Sequence, residues 1–266
     1  MGIYDQDGFR VRFEWGPEGV RALGSAPMVV VVVDVLTFST AVDVAVARGA
    51  SVFPREWPQG GSSSVVSKMV VEHAAQIGGV AAVGRGAVNS EHPYTLSPRS
   101  LARVPQGTRL VVASPNGARV SLTAAESGAT VLAGSLRNAN AIAHEALAWG
   151  TPVAVIASGE QWGGSGMLRP SFEDVVGAGA IIAALGSEGV SPEARAAEAA
   201  YRAVSHELAK MLAQCVSGRE LIEKGFKHDI TWAAKLNVSR TVPILRDGAF
   251  VNFERKEHRR ARLARP

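Results

Sequence analysis

Short apolar runs alternate with longer mixed segments over the first 160 or so residues. FRVRFEW (9–15) has period two, which puts Phe9, Val11, Phe13 and Trp15 on one face of a strand. PEGVRAL after it has the length of a short helix. The five valines from 29 to 33 do not alternate. A β-branched run of that kind predicts a strand buried on both faces. Further strands are predicted at ASVFP (50–54), VAAVG (80–84), TRLVVAS (108–114), TVLAGS (130–135) and TPVAVIAS (151–158). Between them lie helical segments: about Ser39 to Arg48, stopped by Gly49; GGSSS (60–64) onward to Ile77; GARVSLTAAESG; and LRNANAIAHEALAWG.

Strands separated by helices of this length form βαβ units. The expected fold is therefore α/β: three layers, α/β/α, with a mainly parallel sheet and a helix-rich C-terminal section. Residues 171–236 read as almost wholly helical, with breaks near 186–192 and 217–218. VPILR and GAFVNF form a closing hairpin about Asp247-Gly248. With no linker or repeat, residues 1–254 are expected to form one domain and 255–266 a frayed basic tail.

Composition narrows the function class. The net charge of +4 is carried by the tail, whose six Lys or Arg and one Glu leave the remainder near −1. A basic body with interleaved aromatics is absent, which argues against a nucleic-acid partner. No apolar stretch approaches membrane-spanning length, and the polar start is not a signal peptide. One cysteine, Cys215, excludes an internal disulfide framework and a Cys-rich zinc site. A cytoplasmic protein is expected, and a homo-oligomer is compatible with that.

The candidate chemistry lies where strands end. Asp34 follows the valine run, and Ser39 and Thr40 come next. Arg85 follows VAAVG; Ser114, Asn116, Gly117 and Arg119 follow RLVVAS; Ser135, Arg137 and Asn138 follow TVLAGS. In a parallel sheet these junctions share one rim, where helix N-termini offer unpaired N–H groups to ligands. Hydroxyls, amides and arginines gathered there suit a small anionic phosphate ester. Each alone is an ordinary cap or turn residue. Thr40–Asp43 and Ser171–Asp174 both fit a variant capping box. Glu173 and Asp174 begin a helix and diverge by about 100°. With Asp34 they are candidate catalytic residues and ligands for Mg²⁺, which needs only one or two carboxylates besides waters and ligand oxygens. Nucleotide-binding glycine motifs are absent. Leu36 stands where a covalent aspartyl phosphatase carries its second Asp, and Cys215 reads as a core residue. Of the histidines, His144 and His206 are expected on helix surfaces, leaving His92 as the one near candidate loops.

DVLTFSTAVDVAVARGA, SPNGARVSL, GSLRNANAIA, SFEDVVGAGAII and CVSGRELIEKGFKHDI occur in that order, with VPIL near the end. The series resembles the 2-phosphosulfolactate phosphatases from about residue 28 to 250. The resemblance implies an α/β/α fold and Mg²⁺-dependent hydrolysis of a phosphomonoester, (2R)-2-phospho-3-sulfolactate, on a route to coenzyme M. It also implies site roles for Asp34, Ser39, Thr40, Asn116, Gly117, Asn138, Glu173 and Asp174. Four departures stand out. Thr37 replaces an Arg, Gly84-Arg85 lacks the Glu of Gly-Glu-Arg, Leu96-Ser97-Pro98 shortens Gly-Asn-Ser-Pro, and Ser114-Pro115-Asn116-Gly117-Ala118 replaces Thr-Thr-Asn-Gly-Thr. A non-catalytic phosphate- or sulfonate-binding protein is the alternative expectation.

Overall fold

The computed structural model describes residues 2–24, 28–58, 61–163 and 166–254. The basic tail, 255–266, lies outside the described residues. The elements in chain order are β1 (Val11–Trp15), α1 (Gly16–Ala22), β2 (Val29–Val33), α2 (Phe38–Ala47), β3 (Ser51–Glu56), α3 (Ser63–Gln76), β4 (Val80–Ala81), α4 (Pro98–Leu101), β5 (Arg109–Ser114) and α5 (Gly117–Glu126). There follow β6 (Thr130–Gly134), α6 (Ala139–Ala148), β7 (Val153–Ala157), a small hairpin β8 (Glu160–Gln161) and β9 (Leu168–Arg169), then α7 (Phe172–Leu185). Last come α8 (Pro192–Val204), α9 (Leu208–Gln214), α10 (Val216–Glu223), α11 (Lys227–Ala233), β10 (Pro243–Arg246) and β11 (Ala249–Asn252).

Nine strands form one sheet in the order β1-β7-β2-β6-β10-β11-β3-β5-β4. All its pairings are parallel except those of β10 and β11. The valine run is an interior strand and wholly buried, flanked by β7 and β6. Val29, Val31 and Val33 pack with α6 and α7 on one face; Val30 and Val32 pack with α1, α2 and α5 on the other. Helix α3 covers β4 and β5 beside α6 and α7, through Val70, Ala74, Ala81 and Val111. This is the three-layer α/β/α arrangement, with apolar area removed from water on both sheet faces.

The C-terminal hairpin turns at Asp247 and Gly248, both with positive φ. It does not close an edge. It joins the two parallel halves of the sheet, meeting β6 through Ile244↔Leu132 and β3 through Phe250↔Val52.

Three local expectations are corrected. Phe9 precedes the first strand in a bend, because the pairing with β7 starts at Val11. Thr40 does not cap α2; the cap position is Thr37, and Thr40 lies inside the helix with its Oγ1 donating to the Val35 carbonyl at 2.8 Å. The helical third breaks at 205–207, at Cys215 and at 224–226, and not at 217–218. Gly218 sits inside α10, where a Cβ would overlap the Leu212 carbonyl, so glycine there lets α10 pack closely on α9. No helix among the described residues is long and apolar enough to cross a membrane.

Candidate active site

Asp34 ends the buried strand and connects two helix N-termini. Its Oδ1 accepts from the Phe38 N–H at 2.9 Å, and its Oδ2 from the Gly117 N–H at 2.9 Å, with the Ser114 hydroxyl 3.5 Å away. Its carboxylate thus bridges the first turns of α2 and α5, where unpaired N–H groups favour an anion. Gly117 permits this contact, since a Cβ there would overlap Phe38 Cδ1 and lie 2.7 Å from Asp34 Oδ2.

Helix α7 brings two more carboxylates to the same place, both buried. Asp174 is fully engaged. Its Oδ1 accepts from the Val35 N–H at 2.8 Å; its Oδ2 accepts from the Gly159 N–H at 2.9 Å and the Ser171 hydroxyl at 2.8 Å. It clamps the loops after β2 and β7 together. The expected Ser171 box is therefore altered: the hydroxyl binds the Asp174 carboxylate and no backbone N–H. Glu173 is 1% exposed. Its Oε2 accepts from the Cys215 thiol at 3.3 Å, and its Oε1 has no partner.

Sequence reasoning missed Glu160. It opens the small hairpin after β7, and its Oε2 accepts from Asn116 Nδ2 at 2.8 Å. Ser158, Glu160, Gln161, Asn116, Arg119 and Leu168 line a cavity of about 40 Å³. That volume holds a water or two. The Ser158 hydroxyl is buried and unpartnered. Cys215 was the other omission, since nothing local shows that it meets a carboxylate 42 residues earlier.

The carboxylates perturb one another. Burial, opposed by the Phe38 and Gly117 N–H groups and reinforced by Glu173, raises Asp34 to about 6. Burial, with the charges of Asp34 and Glu173, raises Glu160 to about 8. Asp174 is also held well above its ordinary value, first by burial and then by Asp34 and Glu173. Burial and Glu173 push the Cys215 thiol up to about 12, so it is a neutral hydrogen-bond donor at physiological pH. Groups poised to titrate near neutrality and clustered at a strand-end rim are typical of a reaction centre.

Asp34, Ser114, Asn116, Gly117, Arg119, Glu173 and Asp174 are thus gathered at or beside one cavity. The other expected residues are held by internal contacts. Ser39 and Thr40 are fully buried; Ser39 Oγ donates to the Asp34 carbonyl at 2.8 Å and accepts from the Asp34 N–H at 3.0 Å. Ser135 and Asn138 close their own turn, the Ser135 N–H donating to Asn138 Oδ1 at 2.8 Å, while Asn138 Nδ2 donates to the Ala133 and Thr241 carbonyls. Arg137 is paired internally, its Nε donating to Asp43 Oδ2 at 2.9 Å, and it lies over Trp232. Arg85 pairs with Asp229 and stacks on Phe226 at 4.2 Å. His144 and His206 are exposed as expected, and the His92 N–H donates to Asn89 Oδ1.

Among the described residues no three His, Cys, Asp or Glu side chains are arranged to hold a metal ion. The donor chemistry nevertheless fits Mg²⁺, which takes one or two carboxylates and keeps waters and ligand oxygens for the rest. The orphaned Glu173 Oε1 and the mutual repulsion of Asp34, Glu160 and Glu173 are what a hard cation would relieve.

A family model described as 2-phosphosulpholactate phosphatase matches residues 17–248. That span contains both helix starts joined by Asp34, the α7 carboxylates and Glu160. A "Probable 2-phosphosulfolactate phosphatase" of Carboxydothermus hydrogenoformans is 30% identical over 228 residues, covering 80% of this chain and 84% of that protein. One of the same description from Deinococcus radiodurans is 31% identical over 146 residues, covering 53% and 58%. With the match running over residues 17–248, far more than half of its length, the chain belongs to the 2-phosphosulpholactate phosphatase family.

Proposed function

We propose that this protein is a Mg²⁺-dependent phosphatase that hydrolyses 2-phosphosulfolactate or a closely related 2-phospho acid. The observation that carries the reading is the orphaned oxygen of Glu173, buried beside Asp34 and Glu160 at the strand-end rim.

Glu173 and Asp34 would hold the metal, which when bound supplies charge neutralisation at the phosphate and a more acidic water. Asp174 positions the site, since its carboxylate fastens the two loops that carry Asp34 and Glu160. Arg119 lines the cavity and offers a cation to the acid groups of the ester. The unpartnered Ser158 hydroxyl offers a neutral donor to a phosphate oxygen. Glu160, raised to about 8, carries a proton at neutral pH and would supply it to the departing alkoxide. Direct attack by water is consistent with the inert state of Cys215.

A 40 Å³ cavity does not admit a whole ester. Gln161 and Leu168 of the β8–β9 hairpin form part of its wall, and entry of the substrate requires that hairpin to move outward. The small cavity and Thr37, where the family resemblance implies Arg, favour the second reading: a phosphate- or sulfonate-binding protein without turnover.

The test is phosphate release from phosphosulfolactate, phospholactate and phosphoglycolate, with Mg²⁺ and with EDTA. Metal-dependent release, fastest from phosphosulfolactate, is expected. Preference for another ester keeps the phosphatase and changes the substrate. No release from any of them, with measurable phosphate binding, overturns the enzyme in favour of the binding protein.

A further inference from the structure

A cationic recess lies away from the carboxylate cluster. It is a cavity of about 480 Å³ between the loop after β4, α4 and α11, lined by Arg85, Arg99, Arg103, His228, Phe226 and Asp229 among others. Its size suits a small-molecule ligand. Three arginines face one carboxylate, and that carboxylate is already engaged: Asp229 accepts from Arg85 and from the Ser97 hydroxyl. Arg99 and Arg103 are exposed and make no side-chain hydrogen bond or ion pair within the described residues. The Arg85 Nε is buried without an acceptor, a state that costs free energy unless a ligand oxygen meets it. Arg99 and Arg103, which have no acid partner among the described residues, and the open Nε of Arg85 select acid groups by charge and by paired N–H geometry.

We propose that this cavity is an anion site distinct from the carboxylate cluster, taking a small polyanion with two or more acid groups. Helix α10 gives the separation. It starts beside Cys215, which touches Glu173, and leads to Phe226, on which Arg85 stacks. Eight helical residues span about 12 Å, too far for one small ester to reach both sites. The site binds with strong dependence on ionic strength, because its arginines are partly or wholly exposed.

Pyrophosphate is the probe, titrated calorimetrically into the full chain in EDTA, so that no metal holds it at the carboxylates. The wild type binds it; Arg99→Ala with Arg103→Ala weakens binding at least tenfold; Glu173→Gln leaves it unchanged. Both arginines are exposed, so the double variant keeps the wild-type circular dichroism spectrum. Absence of binding to the wild type overturns the proposal. So does affinity unchanged in the double variant, as adsorption to the basic C-terminal residues would give. Loss in Glu173→Gln overturns it too, by placing the probe at the carboxylates.

Discussion

The Gly117 N–H donates to Asp34 Oδ2 at 2.9 Å, although four strands separate β5 from β2 in the sheet. In a flat sheet, strands that far apart in order would stand about 24 Å from each other. The sheet must therefore curl around α2 and α5. The two single-pair junctions of the β10–β11 hairpin allow that bend. The contact is a closure point of the fold as well as a wall of the site. Gly117→Ala, whose methyl would meet Phe38 and Asp34, is expected to destabilise the protein by about 1–3 kcal/mol. It should also lower turnover more than the unfolded fraction explains. Chemical denaturation beside phosphate release checks both; a stable, fully active variant contradicts the closure.

Arg137 is expected to act on stability alone. It is held against Asp43, which also accepts from the Ser239 hydroxyl. Arg137→Ala leaves a buried carboxylate uncompensated and should cost about 3–5 kcal/mol. The KM of the folded fraction should not change. A raised KM with unchanged stability would return Arg137 to the substrate.

Cys215 is expected to resist alkylation. A thiol held at about 12 is protonated at pH 7.5 and reacts slowly. Cys215→Ser keeps a donor for Glu173 Oε2 and should retain activity within a few-fold, while Cys215→Ala removes it and should raise the Mg²⁺ concentration needed for half-maximal rate. Rapid inactivation by iodoacetamide, or equal metal requirements in the two variants, would refute this role.

The raised carboxylates predict an unusual pH dependence in EDTA. Glu160 moves from 4.5 to about 8 and Asp34 from 3.8 to about 6 on folding. Between about pH 4 and 8 the native chain holds more protons than the unfolded one, so stability falls as pH rises through that window. Mg²⁺ needs its ligand Asp34 deprotonated, so its stabilising effect should grow as pH rises from about 4 to 6. Urea midpoints measured from pH 5 to 8.5, with and without Mg²⁺, check both signs. A midpoint that rises with pH in EDTA would contradict the buried cluster.

Much of the architecture is written in local pattern. The valines of β2 leave no polar face, and the helix lengths between strands dictate crossovers. The place of the hairpin is not local: Asp247-Gly248 specifies a turn, whereas its insertion between β6 and β3 depends on pairings over a hundred residues away. The site shows the same division. Asp34, Asn116 and Glu173 were legible as strand-end or helix-start residues. Ser39, Thr40, Ser135 and Asn138 shared that signal, because the hydroxyls and amides that suit a phosphate also satisfy backbone groups in tight turns. Glu160 carried the same strand-end signal, following TPVAVIAS, but nothing local singled it out, since only the fold brings it to Asn116, 44 positions earlier.

The reaction centre itself is tested most directly by Glu173→Gln. Asp34→Asn is less clean, because an amide cannot accept both the Phe38 and the Gly117 N–H groups at once. Glu173 Oε1 has no such partner to lose. Phosphate release from phosphosulfolactate should be measured for wild type and Glu173→Gln across a Mg²⁺ titration, beside their thermal midpoints. The account predicts at least a hundredfold loss of kcat/KM, about 2.7 kcal/mol of transition-state stabilisation, with the midpoint within a few degrees of wild type. Wild-type turnover in Glu173→Gln at ordinary Mg²⁺ would contradict it.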